Sequence, residues 1–244
     1  MRLALGLVAL ALAPAAHGHA AFANLGPGCA RADFRSAGRT VPAELCRRGG
    51  ERAAVVVLHG CGGFGTLDHR LAADLPDHGY ATLYVDYFAL TPPPGQRGFC
   101  GGPRSGVDPF PVWIREARDA ASALRRTPGI DPRRVGVVGW SLGGGVALAA
   151  AESGGHPFDA AALFSSFAHG LTPGDAAVLP PTLVLSGGSG DAVPVSEAVQ
   201  LHDALLAAHV ATQLHVYAHG THQWPGAQFR AGLAWTVAFL AKYL

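Results

Sequence analysis

The apolar positions of this chain fall into short continuous runs that alternate with longer periodic ones. Ala53 to His59 (AAVVVLH) is a β-branched run closed by glycines, the pattern of a strand buried on both faces. Leu67 to His78 has helical spacing and stops at Gly79. Ala81 to Tyr87 (ATLYVDY) is the next strand. Thr91 to Pro111 is rich in Pro and Gly and reads as a long loop. Val112 to Arg126 repeats its apolar positions at three and four and predicts a helix.

The alternation continues through a strand at Arg134 to Gly139, a small-residue helix at Ser141 to Glu152 and a strand at Asp159 to Phe164. A strand at Thr182 to Ser186, a helix at Val195 to Ala208, a strand at Gln213 to Tyr217 and a closing helix at Gln228 to Leu244 complete it. Five or six strand–helix alternations predict an α/β fold with a mostly parallel central sheet and helices on both faces. Phe34 to Arg47 can add antiparallel edge strands. No linker divides the chain, so residues 21–244 are expected to form one domain of 244 less a short leader.

That leader is read from the first residues. Arg2, an apolar run from Leu3 to Ala13, then Pro14 and small residues make the three-part layout of a secretory signal peptide, residues 1–20. Cleavage after Ala20 or Ala23 would leave small residues at the right places. The run is shorter than the roughly 20 apolar residues of a membrane span. Export to the periplasm or medium, with no membrane attachment after cleavage, is the expectation. Loss of Arg2 lowers the basic count from 18 to 17, matching 17 acidic residues. A near-neutral chain whose basic clusters are only pairs excludes a nucleic-acid partner. In an oxidising compartment Cys29, Cys46, Cys61 and Cys100 can form two disulfides. The expected pairing is Cys29–Cys46, stapling the N-terminal arm, with Cys61–Cys100 second.

Ligands of such sheets bind at the carboxyl ends of the strands. There Gly139-Trp140-Ser141-Leu142-Gly143 matches G-x-S-x-G, between a buried strand and a small-residue helix. The turn must hold Ser141 in a strained conformation while strand and helix pass closely, and glycines permit that. Serine needs a base to act as nucleophile. The order Ser…Asp…His leaves His219 or His222, after the last strand, and passes over His169; a loop long enough to swing the ring over the elbow favours His222. The orienting acid is Asp191, behind Gly187-Gly188-Ser189-Gly190, with Asp175 the alternative. His59-Gly60-Cys61-Gly62-Gly63 follows the first buried strand, where one oxyanion donor belongs, so the amides of Cys61 and Leu142 form the expected hole. Trp140, Phe64, Trp224 and Phe99 either line an apolar pocket beside the elbow or belong to the core.

With VVVLHGCGG (Val55–Gly63), GWSLGG (Gly139–Gly144), SGGSGDAVPV (Ser186–Val195) and the Tyr217…His222 loop, the chain resembles the dienelactone hydrolase family of α/β-hydrolases, from about Phe34 to the C-terminus. The resemblance implies the α/β-hydrolase fold and places the catalytic histidine where His222 stands. The founding members carry a cysteine at the elbow, where this chain has Ser141, and a leader also sets it apart from the cytosolic enzymes. Both departures point away from dienelactone itself as substrate. The loop Thr91–Pro111, with Arg97 and Cys100, resembles one in exported members with serine elbows. The implied reaction is acyl transfer from a small ester or lactone to water through Ser141, His222 and Asp191, with no cofactor.

The same residues bear on other classes. His215, His219 and His222 are near in sequence, but their spacing does not put three rings on one face, so no metal site is expected. Cys61 as nucleophile would sit in an oxyanion-type loop rather than at an elbow. A serine peptidase, or a non-catalytic binding protein on the same fold, completes the alternatives.

Overall fold

The computed structural model describes residues 26–64, 69–91, 98–102, 106–168 and 170–244. The leader, Arg97 and His169 lie outside the described residues.

Ten strands are present among them. β1 (Cys29–Arg31), β2 (Phe34–Ser36), β3 (Arg39–Val41) and β4 (Ala43–Cys46) come first. β5 (Ala53–Leu58), β6 (Tyr80–Val85), β7 (Val135–Trp140), β8 (Ala161–Phe164), β9 (Thr182–Gly187) and β10 (Thr212–Tyr217) follow. Eight of them form one sheet in the order β1-β4-β6-β5-β7-β8-β9-β10, and β2 and β3 pair as a separate hairpin. β6, β5, β7, β8, β9 and β10 run parallel, while β1 and β4 add an antiparallel edge. The mostly parallel sheet is the one the sequence predicts; of the expected edge segment Phe34 to Arg47 only β4 joins it, while β2 and β3 pair apart and β1, outside that segment, is the outermost strand.

The helices are α1 (His69–Asp74), α2 (Phe110–Arg125), α3 (Leu142–Glu152), α4 (Pro173–Ala176), α5 (Val195–Ala207) and α6 (Gly226–Tyr243). Alternate residues of each strand serve opposite faces. In β5, Ala54, Val56 and Leu58 belong to one apolar cluster with Trp113 and Ala117 of α2, Val146 and Ala147 of α3 and Leu201 of α5. Ala53, Val55 and Val57 pack on the other side with Leu71 and Ala72 of α1 and Phe229, Phe239 and Leu240 of α6. A strand buried on both sides has no polar alternation to show, and the continuous apolar runs of the sequence are the result.

Several boundaries shift by one or two residues, among them the starts of β8 and α6 and the end of β6, and three differences have a local reason. The helix expected to end at His78 becomes a 3-10 turn from Leu75, because Pro76 has no amide to continue an α-helical ladder. α2 starts at Phe110, two residues early, since Pro111 is tolerated in a first turn. The short α4 was not expected; a capping box between Thr172 and Asp175 nucleates it.

Both expected disulfides form, Cys29–Cys46 and Cys61–Cys100. Among the described residues no helix is long and apolar enough to cross a membrane.

Glu116 on α2 is 1% exposed and, among the described residues, its Oε2 has no hydrogen-bond partner. Burial pushes its carboxyl up to about 8; Arg39 opposes the shift and Asp86 adds to it. The folded chain therefore keeps a proton that the unfolded chain, with the ordinary value of 4.5, gives up. Stability is full below that ordinary value, falls as pH rises toward about 8, and is level above it. Glu116→Gln should flatten this slope, removing on the order of 3 kcal/mol of difference between mildly acidic and mildly basic buffer. Urea unfolding of both proteins at the two pH values measures it.

Candidate active site

β7 delivers Ser141 directly into α3. The residue has φ 52° and ψ −114° and is one of seven non-glycine residues at positive φ among the described residues. L-residues avoid this region, and a serine stays there only where its surroundings leave no alternative. Its amide donates to the Phe164 carbonyl at the end of β8 (2.8 Å), and its carbonyl accepts from Gly144 (3.0 Å) and Gly145 (3.2 Å). A Cβ on Gly143 would lie 2.3 Å from the Leu58 carbonyl oxygen, and one on Gly139 would lie 2.5 Å from that of Gly143. Those glycines let the helix sit against the ends of β5 and β7. The hydroxyl consequently stands at the positive end of an 11-residue helix dipole.

The loop after β5 lies beside the elbow. A Cβ on Gly60 would sit 3.7 Å from the Ser141 Cβ. The Gly60 carbonyl accepts the Gly63 amide (3.1 Å). In a trans peptide the N–H opposes the C=O, so the Cys61 amide faces away from that turn. The Leu142 amide is the first of α3 and, like every first-turn amide, has no partner within its own helix.

The acid and the histidine come from the last two strands. β9 and β10 end in register at Gly187 and Tyr217. Their exits stay joined: the Gly188 amide donates to Tyr217 O (2.9 Å) and the Ser189 amide to Gly220 O (2.9 Å). A Cβ on Gly187 would lie 2.5 Å from the Thr221 carbonyl oxygen, so only glycine fits there. Asp191 and His222 meet as a result. The His222 backbone amide donates to Asp191 Oδ1 at 2.8 Å, while the His222 Nδ1 is buried and unpartnered among the described residues. In ligand-free sites a side-chain bond between acid and histidine often closes only with substrate. Burial lowers the His222 pKa below its ordinary value, with Asp191 pulling the other way. At Asp191 desolvation raises the pKa, but the amides of His222 and Asp191 and the Ser189 hydroxyl outweigh it and hold the carboxyl low.

The other candidates have different surroundings. Asp175 is engaged in the α4 capping box, its Oδ2 accepting from Thr172 Oγ1 (2.6 Å) and N (3.1 Å). His219 is exposed at φ 56°. His215 stacks on Trp235, ring centroids 4.5 Å apart. Cys61 is tied up as a disulfide and offers no thiol.

Of the aromatics, Trp224 is 1% exposed and belongs to the core. Its Nε1 donates to Ser165 Oγ (2.8 Å), and its ring packs edge-on to Phe164 at 5.1 Å. Trp140 is likewise buried, stacked on Phe164 at 5.1 Å. Phe64 is half-buried and stacks on Tyr84 at 4.3 Å. Phe99 is buried against Phe88 at 4.3 Å.

Two residues that hold the histidine loop were not singled out from sequence. Gln228 of α6, 4% exposed, accepts the Thr221 amide through Oε1 (2.9 Å) and donates to the Thr221 carbonyl through Nε2 (2.7 Å). Ser165, at φ 46°, receives the Trp224 indole. A glutamine among the apolar residues that open α6 was the one available signal for the first; nothing marked the second.

A mostly parallel sheet with helices on both faces, and a strained serine at a strand–helix elbow, define an α/β-hydrolase. The model of the dienelactone hydrolase family matches residues 45–228. The chain belongs to that family and is a carboxylic ester hydrolase. Among solved structures, the dienelactone hydrolase-like promiscuous phosphotriesterase P91 from metagenomic libraries is 20% identical over 88% of this chain and 98% of its own, with a TM-score of 0.73. The dienelactone hydrolase of Anabaena variabilis is 21% identical over the same shares, at 0.70. The thermophilic carboxylesterase EstE1 from a metagenomic library is 16% identical over 88% and 89%, at 0.67. At these identities the likeness is one of fold. A search of curated protein sequences gives no match.

Gln228→Leu strips both partners from a part-buried peptide segment. It should cost about 1–3 kcal/mol of stability and lower ester turnover more than it raises KM, because the histidine loop loses its anchor. Thermal melting and steady-state kinetics together check both halves.

Proposed function

We propose that the chain is an exported serine esterase that cleaves a small ester or lactone through an acyl-enzyme on Ser141. The observation that carries this reading is the backbone of Ser141, held at φ 52° between a buried strand and a helix N-terminus. Such strain persists at sites where a side chain must be presented in one direction. His222 takes the hydroxyl proton as Ser141 attacks the carbonyl carbon. Asp191, brought to the same loop by the joined exits of β9 and β10, orients the imidazole and stabilises its cation. The amides of Cys61 and Leu142 receive the developing oxyanion. His222 then protonates the leaving alcohol, and a water activated by the same ring releases the acid. Every step uses side chains and amides of this chain, so the reading calls on no cofactor.

The leader read at residues 1–20 supports export, and two disulfides agree with it. After cleavage, residues 21–244 act as one domain in the periplasm or medium. Phe64 borders the loop that carries the Cys61 amide, and its half-exposed ring favours an apolar acyl or alcohol group on the substrate.

The mature protein should hydrolyse a short-chain p-nitrophenyl ester, and Ser141→Ala should lower kcat by roughly a thousandfold or more. A fluorophosphonate should label Ser141. Equal activity of the two proteins would sink the reading. The pH profile provides a second check. Burial lowers the His222 pKa, so the ring is neutral and able to accept a proton from somewhat below pH 6.5 upward. The acid limb of kcat/KM should therefore fall below that ordinary value.

A further inference from the structure

The loop carrying the Cys61 amide is fastened at more points than a tight turn requires. Its Gly60 carbonyl meets both the Gly63 amide (3.1 Å) and His59 Nδ1 (2.9 Å). His59 is fully buried and stacks on Tyr87, ring centroids 4.1 Å apart. The Cys61 carbonyl accepts the Phe99 amide (2.7 Å). A Cβ on Gly98 would lie 3.3 Å from that same oxygen, so residues 98–100 lie flat along the loop. Phe99 is pinned in turn between Phe88 (4.3 Å) and Trp113 (5.1 Å). Finally, Sγ of Cys61 is bonded to Cys100, 39 residues away.

The two peptide planes flanking Cys61 are thus fixed separately, and the side chain between them is fixed covalently. The other disulfide has a different setting. Cys29 and Cys46 face each other across the β1–β4 ladder, and Cys46 pairs with Thr82 near the start of β6. That end of the sheet is opposite the elbow.

We propose that the Cys61–Cys100 disulfide is a positioning device for the oxyanion hole, with Cys100 a positioning residue that acts through the Cys61 amide. The inference rests on the Ser141 reading above. Its physical content is preorganisation. A donor aimed before the charge develops stabilises it without reorganising, and loss of one such donor costs about 10²–10³ in kcat. Displacing a group by about 1 Å can cost about 10². A disulfide that joins two segments already in contact holds the amide against such a displacement.

The experiment compares two double variants of the mature protein, Cys61→Ala/Cys100→Ala and Cys29→Ala/Cys46→Ala. For each, kcat and KM on a p-nitrophenyl ester are measured with the affinity for an alkyl boronate, which mimics the tetrahedral adduct, and the melting temperature. The first variant should lose about 10- to 100-fold in kcat and a similar factor in boronate affinity, with little change in KM. The second should melt lower with kcat unchanged. A Cys61→Ala/Cys100→Ala protein that melts lower yet keeps kcat and boronate affinity overturns the inference, and leaves Ser141 labelling as before. If Ser141→Ala is itself fully active, the underlying reading fails instead, so the two failures are distinguishable.

Should the first variant not fold, the Cys29→Ala/Cys46→Ala protein is reduced while folded. Cys100 is exposed to reductant. Dithiothreitol closes to its cyclic disulfide as Cys61 and Cys100 each gain a thiol proton. Loss of kcat and boronate affinity, restored on reoxidation, supports the inference; unchanged values overturn it.

Discussion

The contact on which the rest depends is backbone against backbone at the elbow. α3 can follow β7 without a connecting loop only if Gly143 rests on the carbonyls of Leu58 and His59, and Gly139 on Gly143. Any side chain at either place would push helix from sheet. That single approach fixes Ser141, turns the α3 dipole toward it and brings the Gly60 turn alongside. The neighbouring strands serve the same end. The Phe164 carbonyl of β8 receives the Ser141 amide, so the elbow is tied to both flanking strands. Geometry that in isolation would cost about 1–3 kcal/mol is overdetermined by its neighbours.

A second close approach, between the exits of β9 and β10, brings Asp191 to His222. Here too glycine carries the requirement: Gly187 faces the carbonyls of Gly220 and Thr221. Gln228 then clamps Thr221 from α6, and Trp224 reaches across to Ser165 beyond β8. The result is a loop supported from three directions, on which His222 is half-buried.

How much of this was legible depended on the range of each interaction. The elbow was readable because its demands fall on consecutive residues, Gly139 to Gly143. The parallel sheet was readable because burial on both faces leaves unbroken apolar runs such as Ala53–Leu58. Both cysteine pairings matched expectation, Cys29–Cys46 being consistent with neighbouring antiparallel edge strands. Trp224 was ambiguous for a physical reason. An aromatic two residues from a candidate base reads equally as pocket wall or core, and only its fit over Gly232 and beside Phe164 decides for the core. Ser165 was silent because its partner is 59 residues distant. The 3-10 turn at Leu75 could have been foreseen from Pro76, whereas α4 rests on a cap only four residues long.

The sheet order has a consequence of its own. Among the described residues β10 is an outermost strand, hydrogen-bonded along one side to β9 and to no strand along the other. Edge elements open by local fluctuations that cost less than global unfolding. His222 hangs from this strand, whereas Ser141 hangs from β7, deep in the middle. The proposed nucleophile and the proposed base therefore belong to regions of unequal local stability. Partial fraying of β10 would uncouple them while the core around β5 and β7 stayed intact. For this molecule, competence is a narrower state than being folded, and the margin between the two is set by one strand.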